Sequence, residues 1–262
     1  MSRLIISVHV PKTAGTSFGS YLKQRFNKKM LMCYPCERCK KHLFDYELKN
    51  LQERVLAPCS THKAPYEELA SFVKSHKIEC IHGHIKPADL YPHFPWARFV
   101  VWLRDPAERT LSHFEFLKRR PDLTPLKAKE AISRGDLLGF ATLFANHQSM
   151  ILEGFTLKKC YFVGIAEESS QEMRRFSRAV GIPAGDMPQE NINPSKGVGK
   201  YKMDTEVRAA LQGINSADLR LYQEALRLRG NENSILNNAW RLAASFKTVC
   251  KLRLKAGGSL WK

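Results

Sequence analysis

A parallel α/β sheet covered by helices on both faces is the fold class this sequence predicts. Three observations carry that expectation. Short, apolar, strand-like runs recur at 4–10, 78–85, 98–104 and 160–165, apolar enough for strands buried on both sides. Segments with helical apolar periodicity fall between them, and strands alternating with helices indicate a parallel sheet. The 262 residues, 44% hydrophobic and 10% aromatic, suffice for a packed core and exclude disorder over the whole chain.

The elements follow in order. Residues 4–10 (LIISVHV) read as a buried strand that ends in Pro11-Lys-Thr-Ala-Gly15-Thr-Ser17. Phe18, Tyr21, Leu22 and Phe26 then share one helix face. Residues 28–65 are basic, Cys-rich and irregular, and read as an insertion. A helix is expected over 66–76 with Leu69, Phe72 and Val73 inward, then strands at 78–85 and 98–104. Asp105-Pro106 opens a helix carrying Leu111, Phe114 and Leu117, with Pro at its first position. Helices are expected over 126–134 and 136–152, and a strand over 160–165. Ser169-x-x-Glu172 reads as a capping box opening a helix through Val180, stopped by Gly181 and Pro183. Residues 186–202 form a polar loop, and 204–228 two helices meeting near Gly213 to Ser216. The whole chain, 1–262, is expected to be one domain, with the insertion at about 28–65 and a basic tail from about 230.

With 42 Lys+Arg against 25 Asp+Glu, the net charge of +17 points to polyanionic company: nucleic acid, a phosphorylated cofactor, an acidic polysaccharide or a membrane surface. The basic pairs are dispersed, which suits a globular surface more than a DNA-binding arm. No window approaches ~18 uninterrupted apolar residues, so no transmembrane segment is expected. The run 4–10 enters Pro11-Lys12 without a cleavage site, so no signal peptide is expected. The seven cysteines form an odd count. A reducing, cytoplasmic location is the expectation. Cys33, Cys36, Cys39 and Cys59, with His42 and His62 nearby, have spacings that suit zinc; disulfides or plain reduced thiols remain open.

Four blocks carry chemistry. In the first loop, a strand passing into a helix leaves backbone N–H groups that bind phosphate or sulfate. Gly15 allows close approach, Thr13, Thr16 and Ser17 supply hydroxyls, and Lys12 a cation. The motif is P-loop-like without the Walker A order, because Lys12 precedes the only Gly. In the second block, Arg104 sits where a strand ends, and Ser112 lies about two helical turns on; together they suit a second phosphate. In the third, Ile81-His82-Gly83-His84-Ile85 places two imidazoles on one strand face, as a structural pair or a metal pair. In the fourth, Asn191 to Lys200 is a polar loop containing Ser195-Lys196-Gly197, either a phosphate flap or a plain surface loop.

The first two blocks together resemble the sulfotransferases that use 3′-phosphoadenosine 5′-phosphosulfate (PAPS). That family opens with a strand and a P-K-T-[AG]-[GS]-[TS]-[ST] loop, here Pro11 to Ser17. It continues with a strand ending R-D-P and a helix with R-x-x-S, here Arg104-Asp105-Pro106 and Arg109 to Ser112. Phe162 to Glu168 and Asp218 to Tyr222 look like two further landmarks, found in the Golgi-type carbohydrate branch. The H-G-H strand is similar to the uronyl 2-O-sulfotransferase subgroup. The resemblance spans roughly 4–225 and implies a sulfotransferase fold. It implies that Lys12, Thr13, Ala14, Gly15, Thr16 and Ser17 hold the 5′-phosphosulfate, that Arg104 and Ser112 hold the 3′-phosphate, and that Lys196 closes over that end. The family reads Arg-Lys-Gly where this chain reads Ser-Lys-Gly. It implies His84 as the base, with His82 supporting it or taking its place.

The expected activity is therefore sulfuryl transfer from PAPS to a hydroxyl acceptor, a carbohydrate that could itself be anionic. The bisphosphate PAP is the product, and no catalytic metal is required because Lys12 takes the cation's place. A nucleotide or small-molecule kinase is the second reading, disfavoured by the missing Walker A order. A non-catalytic polyanion-binding protein is the third. Nucleic acid is not the expected partner.

Overall fold

The computed structural model describes residues 4–35, 42–48, 51–56, 65–183, 185, 188 and 201–230. Strand β1 (Ile5–Val8) leads through a loop into α1 (Gly15–Phe26). Then come β2 (Met30–Pro35), β3 (His42–Leu48), β4 (Leu51–Leu56), α2 (Pro65–Ser75), β5 (Cys80–Gly83) and α3 (Pro87–Leu90). Strand β6 (Arg98–Leu103) is followed by α4 (Pro106–Arg119), α5 (Leu126–Ser133), α6 (Leu137–Leu143) and α7 (His147–Ile151). The described chain ends with β7 (Phe162–Ile165), α8 (Ser169–Val180), α9 (Thr205–Ile214) and α10 (216–230).

The strands form one sheet in the order β4-β3-β2-β5-β1-β6-β7. From β2 to β7 all neighbours run parallel; β3 and β4 add an antiparallel edge. The expected α/β architecture, a central five-stranded parallel sheet flanked by helices, is therefore present. Alternation along each strand divides the core. Ile6, Leu31, Ile81 and Phe99 face Leu69 and Val73 of α2 with Leu90 and Phe94. Ile5, Met30, Cys80, Val100 and Trp102 face Phe18, Tyr21 and Leu22 of α1 and Met173, Phe176 and Val180 of α8. A run apolar at every position buries both faces, which is why these strands carry no polar alternation.

Four expectations need correction. The stretch 28–65 is not irregular throughout: it supplies β2 to the parallel sheet and β3 and β4 to its edge. Its run MLMCYP is short and mixed with cysteine and proline, which hid the strand, although Leu31 and Cys33 are core residues. The single helix expected over 136–152 is broken between α6 and α7. Asn146 there is left-handed (φ 54°), and its side-chain oxygen accepts from the N–H groups of Ala217 (2.9 Å) and Asp218 (3.2 Å). Asparagine tolerates that conformation better than most residues. The Ser169–Glu172 capping box does not form. No side chain caps α8, and Glu172 pairs instead with Arg175 (2.7 Å) and Arg229 (2.6 Å). Leu111 is only partly buried on α4, whereas Phe114 and Leu117 are core. The break between α9 and α10, the α4 start at Pro106 and the left-handed Gly181 that ends α8 all lie where expected.

The parallel arrangement sets the location of the site. Val8 pairs with Gly83 on one side and Val101 on the other, so β1, β5 and β6 end nearly level. The segments that leave them begin with His9, His84 and Arg104. Side chains at the carboxyl ends of parallel strands line the crevice where such sheets bind ligands.

Candidate active site

The loop from His9 to Ala14 is built under strain. Lys12 (φ 70°) and Ala14 (φ 65°) are left-handed, and Thr13 between them is not. Alternation of this kind turns successive backbone N–H groups toward one point and makes an anion-binding concavity. Left-handed non-glycine residues are unfavourable and persist only where the surroundings hold them. Thr13 provides part of that hold. It is fully buried, and its hydroxyl donates to the Val10 carbonyl at 2.9 Å. The Thr13 hydroxyl proton is therefore spent inside the loop, leaving its backbone as the part that can face a ligand. No side chain caps α1 at Ala14, and no acidic residue occupies its first turn, so its N-terminus retains the polarity that favours an anion. Thr16 is exposed and Ser17 half-buried at that end.

Lys12 lies over the Phe116 ring of α4, its Nζ 4.0 Å from the centroid. Burial, with Arg104 and Arg119 nearby, lowers its pKa from 10.5 to about 8. That shift corresponds to about 3 kcal/mol of cost in keeping the ammonium charged near neutral pH. An anion beside it would offset that cost. Arg104 donates from Nη1 to the Lys12 carbonyl at 3.2 Å, which ties the end of β6 to the loop. Its guanidinium also lies 3.5 Å from Glu108 and 4.0 Å from Glu167. Arg104 does not pair with its neighbour Asp105. Asp105 instead caps α4, accepting from the N–H groups of Ala107 and Glu108, and receives Arg208 and Gln212 from α9. Ser112 is half-buried on α4, two turns past Arg104.

Residues outside the chemical motifs hold Arg104 in place. Gln148, wholly buried at the start of α7, bonds both backbone groups of Arg104, at 3.0 and 2.9 Å. Asp218 of α10 accepts from the N–H groups of Gln148 (3.1 Å) and Ser149 (2.7 Å), so a carboxylate from one helix caps another. Glu167, just past β7, accepts from the Asp105 N–H at 2.9 Å and is approached by the Tyr222 hydroxyl at 3.4 Å; burial raises its pKa. The two further landmarks in the sequence, 162–168 and 218–222, thus act as brackets around the end of β6. Asp218→Ala would strip acceptors from two N–H groups of α7 and from the Ser149 hydroxyl. We expect about 2–4 kcal/mol of lost stability, read as a lower midpoint in urea at unchanged slope. An unchanged midpoint would remove Asp218 from this bracket.

Three imidazoles, not two, meet at the carboxyl edge. His82 is fully buried on β5, and its Nδ1 lies 2.9 Å from the hydroxyl of its register partner Ser7. Burial, with His84 second, lowers its pKa to about 3; a hydrogen bond with the Gly15 backbone opposes that. His82 has no exposed surface, and Ser7 lies against its Nδ1 edge. His84 lies one residue beyond β5, half-buried, its N–H donating to the Cys33 carbonyl at 2.8 Å. His9 was not singled out by sequence reasoning. Its ring centroid lies 5.3 Å from that of His82 and 4.8 Å from that of His84, so His82 on β5 and His84 just past it both meet the His9 ring.

Lys196, Cys36, Cys39 and Cys59 lie outside the described residues. Cys33 is a buried core residue on β2. No group of three or more His, Cys, Asp or Glu side chains suited to a metal ion occurs among the described residues. No helix there is long and apolar enough to cross a membrane.

Among solved structures, the chain is similar to a sulfotransferase from Alicyclobacillus acidocaldarius, with a TM-score of 0.45 and 16% identity over 87% of this chain and 97% of that one. It is also similar to mouse sulfotransferase SULT7A1 complexed with PAP, with a TM-score of 0.46 and 12% identity over 89% of this chain and 90% of that one. No family model and no curated protein sequence matches the chain.

Proposed function

We propose that this chain is a PAPS-dependent O-sulfotransferase whose acceptor is a carbohydrate hydroxyl. One observation carries the reading. An alternating left-handed loop with its own lysine, an arginine bonded to that lysine's carbonyl, and a half-exposed histidine converge at one sheet edge. The first two suit a donor with two separated anionic groups, and the third suits an acceptor hydroxyl that must lose a proton. The net charge of +17 supports an acceptor that is itself anionic.

The donor supplies an activated sulfuryl group on a phosphate leaving group, and PAP is what remains. Lys12 and the N–H groups of the loop through Ser17 stabilise the charge that grows on the leaving phosphate, by the same logic as phosphoryl transfer. Arg104 and Ser112 hold the 3′-phosphate, with Lys196 assigned to the same end. His84 accepts the acceptor's hydroxyl proton as attack develops. His82 supports the arrangement from inside the core. The reading covers one domain over 1–262 and assigns no step to a metal.

The experiment is a thermal-shift series with PAP, adenosine 5′-phosphate, ATP with Mg²⁺ and a heparin-like polymer, on wild type and Arg104→Ala. PAP is expected to give the largest shift in the wild type. Arg104→Ala should erase most of the advantage of PAP over adenosine 5′-phosphate. A largest shift with ATP and Mg²⁺ would instead favour the kinase, and one with the polymer alone a polyanion-binding module.

A further inference from the structure

We propose that His9 is a positioning residue that seats the His84 imidazole at the mouth of the anion-binding loop; the inference rests on the sulfotransferase reading above. His9 sits where β1 ends, its N–H donating to the Gly83 carbonyl at 2.7 Å, which fixes its backbone against the end of β5. His9 is 8% exposed, and its ring fills the space between two elements. On one side it stacks on His82, with an interplanar angle of 18°, and meets His84 at 54°. On the other it abuts the first residue of α1. A Cβ on Gly15 would fall 1.9 Å from His9 Cδ2 and 2.3 Å from its Nε2. Gly15 is therefore small to admit this ring as well as to let a ligand approach.

One turn on, Gly19 does the same for His82, where a Cβ would fall 2.5 Å from the ring Nε2. The two glycines form a slot along α1 into which two imidazoles are pressed. His82 is held there by Ser7. His84, outside the strand and half-exposed, rests against the His9 ring at 4.8 Å between centroids. The contact chain runs from the α1 N-terminus through His9 to His84. The part of the loop that would bind the donor and the proposed base are thereby held in one rigid relation. A base must stand within hydrogen-bond reach of the acceptor hydroxyl, and a misplacement of ~1 Å can cost about 10²-fold.

The experiment compares His9→Ala and His9→Phe with wild type for sulfuryl transfer and for the PAP dissociation constant. It also measures a ring-to-ring nuclear Overhauser effect between His9 and His84 in the wild type. Seating by ring contact predicts that His9→Ala lowers kcat by about 10–10²-fold while PAP affinity stays within about twofold. His9→Phe should recover most of that loss, because a flat ring refills the slot. Wild-type kcat in His9→Ala would overturn the proposal. So would a folded His9→Phe as inactive as His9→Ala, since His9 would then handle the proton itself. Where neither variant folds, the Overhauser contact decides: its presence supports the seating and its absence overturns it. A wild type that binds PAP yet transfers no sulfuryl group would sink the parent reading, and the Overhauser contact would still judge the placement of His9.

Discussion

Lys12→Ala is expected to lower kcat by about 10²–10³-fold while the protein stays folded, the scale on which loss of one oxyanion donor is felt. Lys12 stands in the left-handed loop and is held over Phe116 at 4.0 Å, where burial and two arginines disfavour its charge. A cation kept under such pressure gains most from an anion whose charge grows during reaction, so the loss belongs in kcat more than in KM. The substitution also removes a buried charge that costs stability below pH ~8, so the variant should be no less stable in urea than the wild type. The pH sign follows from the same environment. With a pKa of about 8, Lys12 is mainly protonated at pH 7 and loses its proton as pH rises. In the wild type, kcat/KM should therefore fall on the alkaline side near pH ~8, and that limb should move to higher pH in kcat, since the bound anion favours the ammonium. An unchanged kcat with only KM raised would take Lys12 out of the transition state.

Arg104 could be found in the sequence because it follows directly on an apolar run, and Lys12 because it stands in the loop between such a run and a helical segment. A run such as RFVVWLR fixes a buried strand, and in a parallel sheet the residue after the strand faces the crevice. Arg104 is placed by that rule alone, and Lys12 by the strand–loop–helix pattern. His9 obeys the same rule and was passed over, because it stands inside the run LIISVHV and a single imidazole beside Pro11 carries no spacing signal. A usable clue was present in Gly15 and Gly19, one helical turn apart on the face that meets the sheet, a hint that something bulky lies opposite. In the bracket of Gln148, Glu167 and Asp218, the last two fall in landmarks visible in the sequence, but their joint role around Arg104 was not. Its members come from three separate elements, and only folding brings them to Arg104. Glu172 shows the converse error: its spacing from Ser169 is that of a capping box, but burial beside Arg175 and Arg229 offered the carboxylate stronger partners. Local propensity lost to a charge-assisted contact that no local pattern encodes.

His84→Ala should abolish most turnover with PAP affinity intact, because the imidazole addresses the acceptor and not the nucleotide. The expected loss is about 10²–10⁴-fold in kcat, the range contributed by a positioned general base. His84 suits the task by location: it is the half-buried histidine of its pair, one residue past β5, whereas His82 is wholly buried and bonded to Ser7. The two substitutions should therefore fail differently. His82→Ala removes a packed ring against Gly19 and should cost about 2–4 kcal/mol of stability, lowering Tm and activity together. His84→Ala should leave Tm nearly unchanged and lose turnover on the folded protein. The pH dependence has a definite sign. A base must be neutral to accept a proton, so wild-type turnover should decline as pH falls and the imidazole takes one up. That acid limb should vanish from whatever activity His84→Ala retains, since no imidazole then limits the rate. The deciding measurement is PAP binding, melting temperature and turnover on one preparation of His84→Ala. Turnover close to wild type on that sample would end the assignment, and His9, the remaining imidazole at the loop, would become the first residue to test as the proton acceptor.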